Sequence, residues 1–220
     1  MKSFDSENFP EIIFSDNHLL VALKDAGLLT QPDDTGGDSL ENRVKEWVKR
    51  EFHKPGNVFL HAIHRLDRPV SGLVLFARTS KALSRLNEQS REGAIQRIYV
   101  AEVEGILSAR EGRLDHYLIH GNHRAIVSTA LEKEAKHARL TYEVIRYNPH
   151  TTLVSIELET GRYHQIRAQF SATGHPVVGD VRYGSKSGDG NGIHLHCASL
   201  ALKHPVTQEI LDVKSPAPFV

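Results

Sequence analysis

The sequence HRLDRPVSGLVLFARTSKA, residues 64–82, joins a charged loop to an apolar run. Asp67 lies between Arg65 and Arg68, and residues 73–77 are all apolar. An apolar run of this length, bounded by turn residues, indicates a buried strand. A carboxylate between two cations is expected to stay ionised, because nearby positive charge favours its charged form. Asp67 is therefore a candidate nucleophile, base or metal ligand, the alternative being an ordinary loop salt bridge.

Composition limits the classes of protein to which the chain can belong. Its 220 residues can build one domain, residues 1–220, with a sizeable core. Lys+Arg and Asp+Glu both number 27, which argues against nucleic-acid binding through a broad basic surface. The single cysteine, Cys197, fits a reducing compartment, and no apolar run is long enough to cross a membrane. We expect a monomeric cytoplasmic protein without a signal peptide.

Hydrophobic periodicity and turn residues predict helices interspersed among consecutive strands, which is typical of an α+β fold with a mostly antiparallel sheet. The predicted helices begin at Asp38 or Ser39, at Thr79 or Ser80, and at Arg162. The predicted strands are an opening hairpin within 11–27, the run 73–77, and residues 97–104, 113–119, 124–129, 139–147 and 151–159. Glycine-rich or polar loops are expected at 32–38 and 184–192.

Several segments match one enzyme family in order along the chain. HRLDRPVSGLV is similar to the motif HRLDxxTSGLL of the RluA-type RNA pseudouridine synthases. Further matches to the same family cover most of the remaining chain: EIIFSDNHLLVALKDAG (11–27), QRIYVAEVEG (96–105), GRYHQIRAQFSATGHPVVGDVRYG (161–184) and HLHCASL (194–200). The resemblance implies a bent, mostly antiparallel mixed sheet in two halves flanked by helices, with the catalytic cleft between the halves. Because the first matching segment begins close to Met1, the amino-terminal S4 domain of many relatives is expected to be absent.

The resemblance also implies roles for particular residues. Asp67 matches the catalytic aspartate, and Arg167 matches an arginine whose guanidinium pairs with that aspartate. Tyr99 matches a tyrosine that stacks on the target uracil, although a core position in its strand is the alternative. For Arg167 the alternative is a solvent-facing position on the predicted helix.

A second set of residues is expected to contact RNA. Arg65 matches an arginine that enters the RNA stack when the target nucleotide leaves it. The other candidate RNA-binding residues are Arg68, Arg162, His164 and Leu195. Arg162 and His164 could instead brace their loop, and Leu195 could pack in the core.

Pseudouridine formation breaks the uridine N1–C1′ bond and rejoins the base through C5, so the resemblance implies neither a redox cofactor nor a metal. The expected partner is RNA, in the form of a stem-loop of ribosomal or transfer RNA. Asp67 could attack the base, attack C1′ or remove the C2′ proton, and the sequence leaves these three options open.

Two departures from the family pattern concern loop geometry. Val70 stands where the family usually has threonine, and Lys24-Asp25-Ala26-Gly27 replaces Lys-Pro-Ala-Gly, which is expected to loosen the turn after the first hairpin.

On the residues alone, three other functions are alternatives. A metal hydrolase could use Asp67 and Asp180 with the pairs His61-x-x-His64 and His194-Leu-His196, but no H-E-x-x-H pattern occurs. A glycosidase could use Asp67 and Asp180 as paired carboxylates. A non-catalytic RNA chaperone could share the fold, but it would not need Asp67, Tyr99 and Arg167 together.

Overall fold

The computed structural model describes residues 9–33, 36–188, 190 and 192–220. It divides into two compact units. The first unit contains the residues up to Ile95 together with Ser199–Ser215, and the second contains Gln96–Ala198 and Pro216–Val220. The described residues form three α-helices among antiparallel strand ladders, which confirms the predicted α+β class.

The first unit begins with the predicted hairpin, β1 (Ile12–Ser15) and β2 (Leu19–Lys24). β2 pairs with β4 (Ser71–Ala77), and so does the two-residue strand β3 (His61–Ala62). Every residue of β4 is buried, so the prediction of a buried strand over 73–77 is confirmed.

Two helices of the first unit begin at hydroxyl caps. The side chain of Ser39 accepts the Asn42 N–H at the start of α1 (Leu40–Glu51), and Thr79 caps α2 (Ser80–Arg91) in the same way. A cap of this kind satisfies a backbone donor that lacks a partner within the helix. The predicted helix starts are therefore confirmed.

The second unit contains a run of five antiparallel strands in the order β5-β9-β8-β6-β7. Its strands are β5 (Gln96–Glu104), β6 (Glu111–His120), β7 (Ala125–Ser128), β8 (Lys136–Tyr147) and β9 (Thr151–Leu158). The helix α3 (Gln165–Ala172) packs on β6 and β7. A buried cluster lies between α3 and these strands, formed by Leu118, Ala125, Ala138, Ala168 and Tyr183.

One predicted helix boundary is wrong. α3 begins at Gln165 and not at Arg162, because His164 takes a left-handed backbone conformation with φ 52°. The Gln165 side chain accepts the Arg162 N–H at 3.0 Å, which holds residues 162–164 as a separate loop before the helix.

Two strands near the end of the chain were not predicted. β10 (Leu195–Lys203) begins in the second unit and ends in the first, where it pairs with β11 (Ile210–Lys214). The predicted loops 32–38 and 184–192 are only partly described, since residues 34, 35, 189 and 191 lie outside the described residues. In the second loop, the Glu104 carboxylate accepts hydrogen bonds from Ser185 Oγ, Lys186 N–H and Ser187 N–H at 2.6–2.8 Å.

Candidate active site

Asp67 lies in the loop that leads from β3 into β4, where it is half-buried between exposed Arg65 and exposed Arg68. Its backbone carbonyl accepts the Val70 N–H at 3.0 Å, which closes a turn at the start of β4. The Val70 side chain is buried. The structure thus places Asp67 in a defined turn at the beginning of a fully buried strand.

Thr30 anchors the residue that precedes Asp67. Its hydroxyl donates to the Leu66 carbonyl at 2.9 Å and accepts the Leu66 N–H at 3.1 Å. Thr30 is buried, as is the Leu66 side chain. Because both backbone polar groups of Leu66 are bound to one side chain, the loop is fixed immediately before the carboxylate.

Lys24 is a buried cation that contacts the backbone of the same loop. Its ammonium donates to the carbonyls of Asp25, Leu28 and Arg68 at 2.9, 2.7 and 3.2 Å. Burial lowers the pKa of Lys24 to about 8, and the negative charges of Asp67 and Asp25 oppose that shift. Lys24 therefore supports the backbone next to Asp67 and supplies positive charge to its surroundings.

The turn after the first hairpin is tied to the Asp67 loop. The Gly27 N–H donates to the Arg68 carbonyl at 2.7 Å, and the Gly27 carbonyl accepts Arg68 Nε at 2.9 Å. Gly27 has φ 88°, a conformation that glycine adopts without strain. With the Lys24 contacts these bonds hold the turn in place, although Asp25 replaces the proline of the family pattern.

In the second unit, Arg167 on α3 forms a buried ion pair with Asp180. Arg167 Nε lies 2.6 Å from Asp180 Oδ2, and Nη2 lies 2.9 Å from Oδ1. The two residues are only 4% and 2% exposed, and the guanidinium also lies 4.9 Å from the centre of the Tyr183 ring. A planar guanidinium bound through two nitrogens has a fixed orientation. Arg167 is thus a rigid group, not a solvent-facing one.

His164 is buried and bound to the same tyrosine. Its Nδ1 lies 2.9 Å from the Tyr183 hydroxyl, which also accepts the Ala125 N–H at 2.7 Å. Burial, together with the positive charges of Arg167 and Arg182, lowers the pKa of His164 to about 3. His164 is therefore neutral near pH 7, and its contacts are those of a residue that braces the loop.

Tyr99 and Leu195 are buried, and Arg162 is exposed. Tyr99 is 5% exposed on β5, where it lies opposite Ile156. Leu195 is 3% exposed at the start of β10. Arg162 donates through Nε to the His137 carbonyl at 2.9 Å, so one nitrogen of its guanidinium is held by backbone.

Three buried polar residues hold backbone groups in place, and the sequence assigned none of them a role: Lys24, Thr30 and Gln169. Gln169 is fully buried on α3, and its Nε2 donates to the carbonyls of Leu114 and Ala138 at 3.1 Å. For Lys24, the signals were its place at the end of the apolar run LLVALK and its match to the lysine of the family pattern Lys-Pro-Ala-Gly. Thr30 and Gln169 gave no signal, because their partners are distant in sequence.

The family model for RNA pseudouridylate synthase matches residues 18–172, a range that includes Asp67, Tyr99 and Arg167. The chain belongs to this family. The family comprises isomerases that act on RNA, so the match gives no support to a metal hydrolase or a glycosidase. Asp180, which those two alternatives require, is the buried partner of Arg167.

Curated relatives carry pseudouridine synthase names. The chain is 31% identical over 212 residues to an RNA pseudouridine synthase of Bacillus subtilis, covering 94% of this chain and 68% of the relative. It is 34% identical over 219 residues to ribosomal large subunit pseudouridine synthase C of Escherichia coli, covering 93% of this chain and 66% of the relative. The chain thus spans about two thirds of the length of these pseudouridine synthases.

Solved structures of pseudouridine synthases share the fold. Human RNA pseudouridylate synthase domain containing 4 aligns with a TM-score of 0.81 at 20% identity, covering 94% of this chain and 88% of that chain. Human RNA pseudouridylate synthase domain containing 1 aligns with a TM-score of 0.78 at 24% identity, covering 100% of this chain and 88% of that one.

Two features are lacking in the described part of this family member. Within the described ranges, no three His, Cys, Asp or Glu side chains lie close enough together to hold a metal ion. None of the described helices combines the length and the apolar character that a membrane span requires.

Proposed function

We propose that this protein isomerises specific uridines of structured RNA to pseudouridine, with Asp67 as the catalytic residue. The observation that carries the proposal is that Asp67 lies in a fixed loop of a chain that belongs to the RNA pseudouridylate synthase family. The Thr30–Leu66 bonds fix the backbone immediately before this half-buried carboxylate, and the carboxylate interacts electrostatically with buried Lys24. A fixed carboxylate beside a cation is suited to nucleophilic or base chemistry.

The reaction breaks the N1–C1′ bond, turns the uracil and forms a C5–C1′ bond, while C5 loses a proton and N1 gains one. No electrons are exchanged with a second molecule, so the chemistry needs no redox cofactor. Asp67 acts by attack on the base, by attack at C1′ or by removal of the C2′ proton.

Tyr99 and Arg167 are the other catalytic residues that we assign, on the basis of the family resemblance. The tyrosine ring provides a flat surface for the target uracil, and its hydroxyl is suited to moving a proton. Asp180 and Tyr183 already hold the Arg167 guanidinium in one orientation. Arg167 can therefore act on the reacting groups without reorganising during the reaction.

The substrate that we propose is a stem-loop or junction of ribosomal or transfer RNA. One curated relative is named for the ribosomal large subunit, which favours ribosomal RNA. A target base must leave its stack before it can react, and extrusion requires least energy where the base is unpaired. Exposed Arg65 is suited to filling the vacated stack, and exposed Arg68 is suited to phosphate contact. We place this activity in the cytoplasm and assign it to a monomer.

The test is release of tritium from RNA labelled at uridine C5, because that hydrogen leaves only when C5 bonds to the sugar. Asp67→Asn should abolish release while the fold and the RNA affinity persist, since the amide is nearly isosteric but uncharged. Asp212→Asn changes an exposed carboxylate and serves as the matched control. Wild-type release by the Asp67→Asn protein would defeat the assignment of Asp67.

The target nucleotide can be found by mapping pseudouridines in RNA from cells with and without the gene. A position that loses pseudouridine without the gene, and regains it with wild type but not with Asp67→Asn, is the expected result. An unchanged map would contradict the proposed substrate.

A further inference from the structure

Three aromatic rings form a near-parallel stack in the second unit, which we call the Tyr163 stack. The Tyr163 ring lies 3.8 Å from the His164 ring at an interplanar angle of 20°, and 4.5 Å from the His120 ring at 25°. His164 is buried, whereas Tyr163 is 41% exposed and His120 is exposed. Two of the stacked rings thus reach solvent.

The stack is held at both ends by backbone and side-chain contacts. His164 has φ 52°, an uncommon conformation for a residue other than glycine, and it is bound to the Tyr183 hydroxyl. His120 ends β6 at a turn closed by the Gly121 N–H and the Arg124 carbonyl at 2.8 Å. Rings held in this way lose little conformational entropy when a planar ligand stacks on them.

Two exposed arginines accompany the stack. Arg162 precedes Tyr163 in the chain, and its Nε is bound to the His137 carbonyl at 2.9 Å. Arg182 lies near enough to lower the pKa of His164, and its Nη1 donates to the His123 carbonyl at 2.7 Å.

The acidic groups of this region are already paired. Among the described residues, no carboxylate forms an ion pair with Arg162 or Arg182. Asp180 is bound to Arg167, and Asp115 is bound to His137 and Arg139. Anchored guanidinium groups without acidic partners are suited to phosphate binding.

We propose that this surface binds an unpaired nucleotide of the substrate RNA outside the reacting position. One base stacks on the outer face of the exposed His120 ring, which Tyr163 supports from behind, and neighbouring phosphates contact Arg162 and Arg182. Aromatic rings flanked by arginines are the usual platform for single-stranded nucleic acid. The inference rests on the proposed function, because it takes RNA to be the substrate, and it assigns new roles to His120, Tyr163 and Arg182.

The test compares variants by fluorescence anisotropy of a labelled RNA stem-loop with an unpaired loop. His120→Ala should bind about 5- to 160-fold more weakly, the effect of losing one base–aromatic stack. Tyr163→Ala should also bind more weakly, because it removes the ring that supports His120. Tyr163→Phe keeps the ring and should retain most of the affinity. Tyr147→Ala is the matched control, because Tyr147 is also 41% exposed but ends β8 outside the stack. It should bind like wild type.

The affinity of His120→Ala and the isomerase activity of the wild type distinguish a failure of this inference from a failure of the proposed function. His120→Ala changes an exposed ring at the end of a strand, and it should weaken binding even if Tyr163→Ala does not fold. Equal affinity of wild type and His120→Ala, or an equal loss in Tyr147→Ala, would overturn this inference. Failure of the wild type to isomerise any RNA would instead defeat the proposed function, whatever the affinities of the stack variants.

Discussion

At the scale of single residues, the surroundings of Asp67 depend on a lysine to which the sequence patterns assigned no role. Lysine is rarely buried, so a terminal lysine on a strand is normally expected to face solvent. Lys24 is buried because three backbone carbonyls receive its ammonium and because Asp67 and Asp25 supply negative charge. The position of the Arg68 carbonyl, one residue after Asp67, depends on this contact.

This environment predicts a particular dependence of stability on pH. The pKa of Lys24 is about 8 in the folded protein, whereas an unperturbed lysine, as in the unfolded chain, has a pKa of 10.5. Between pH 8 and 10.5 the lysine is therefore protonated in the unfolded chain and largely deprotonated in the folded protein. Stability contributed by Lys24 should therefore rise from about pH 8 to 10.5, by on the order of 3 kcal/mol. Below pH 8 both states are protonated and the contribution should be constant.

Urea unfolding at several pH values measures this contribution as the difference between wild type and Lys24→Met. Lys81→Met, which changes an exposed lysine of α2, is the control and should follow wild type at each pH. A difference between wild type and Lys24→Met that stayed constant from pH 7 to 10.5 would contradict the lowered pKa.

At the scale of elements, sequence patterns predicted best where local chemistry decides the structure. Ser39 and Thr79 start helices because their side chains bind the helix backbone within three residues. The predicted start of α3 was wrong because His164 has a left-handed backbone and the Gln165 side chain accepts the Arg162 N–H. Hydrophobic periodicity reveals neither feature. The bond between Arg167 and Asp180 was not predicted either, since Asp180 lies in a separate loop.

The Arg167–Asp180 pair joins α3 to the segment that follows it, and it predicts a large effect for a small change. Asp180→Asn removes the charge of a carboxylate that binds the buried guanidinium through both oxygens, and breaking such a buried pair typically destabilises a protein by about 3–5 kcal/mol. Asp212→Asn removes one partner of an exposed pair with Lys214 and should change stability far less. Urea unfolding of both variants at pH 7 measures the contrast. If Asp180→Asn were as stable as Asp212→Asn, the buried pair would not contribute to the stability with which α3 is joined to the segment that follows it.

At the scale of the whole molecule, the family resemblance gave the fold class and family, whereas the residue contacts required the structure. Zero net charge argues against RNA binding through a broad basic surface. The structure buries Arg167 with Asp180, away from solvent. It leaves Arg65, Arg68, Arg162 and Arg182 exposed.

Four exposed arginines predict a modest dependence of RNA affinity on salt. Each neutralised phosphate contributes about 0.7–0.9 to the slope of log affinity against log salt, so the slope should be about 3–4. Because target extrusion is easiest in a loop, turnover should be faster on a stem-loop than on an unstructured strand of the same composition. Affinity and tritium release for both RNAs at several salt concentrations measure the two effects. A slope corresponding to about ten contacts would require a wider basic surface, and equal turnover on both RNAs would show that the folded loop is not recognised.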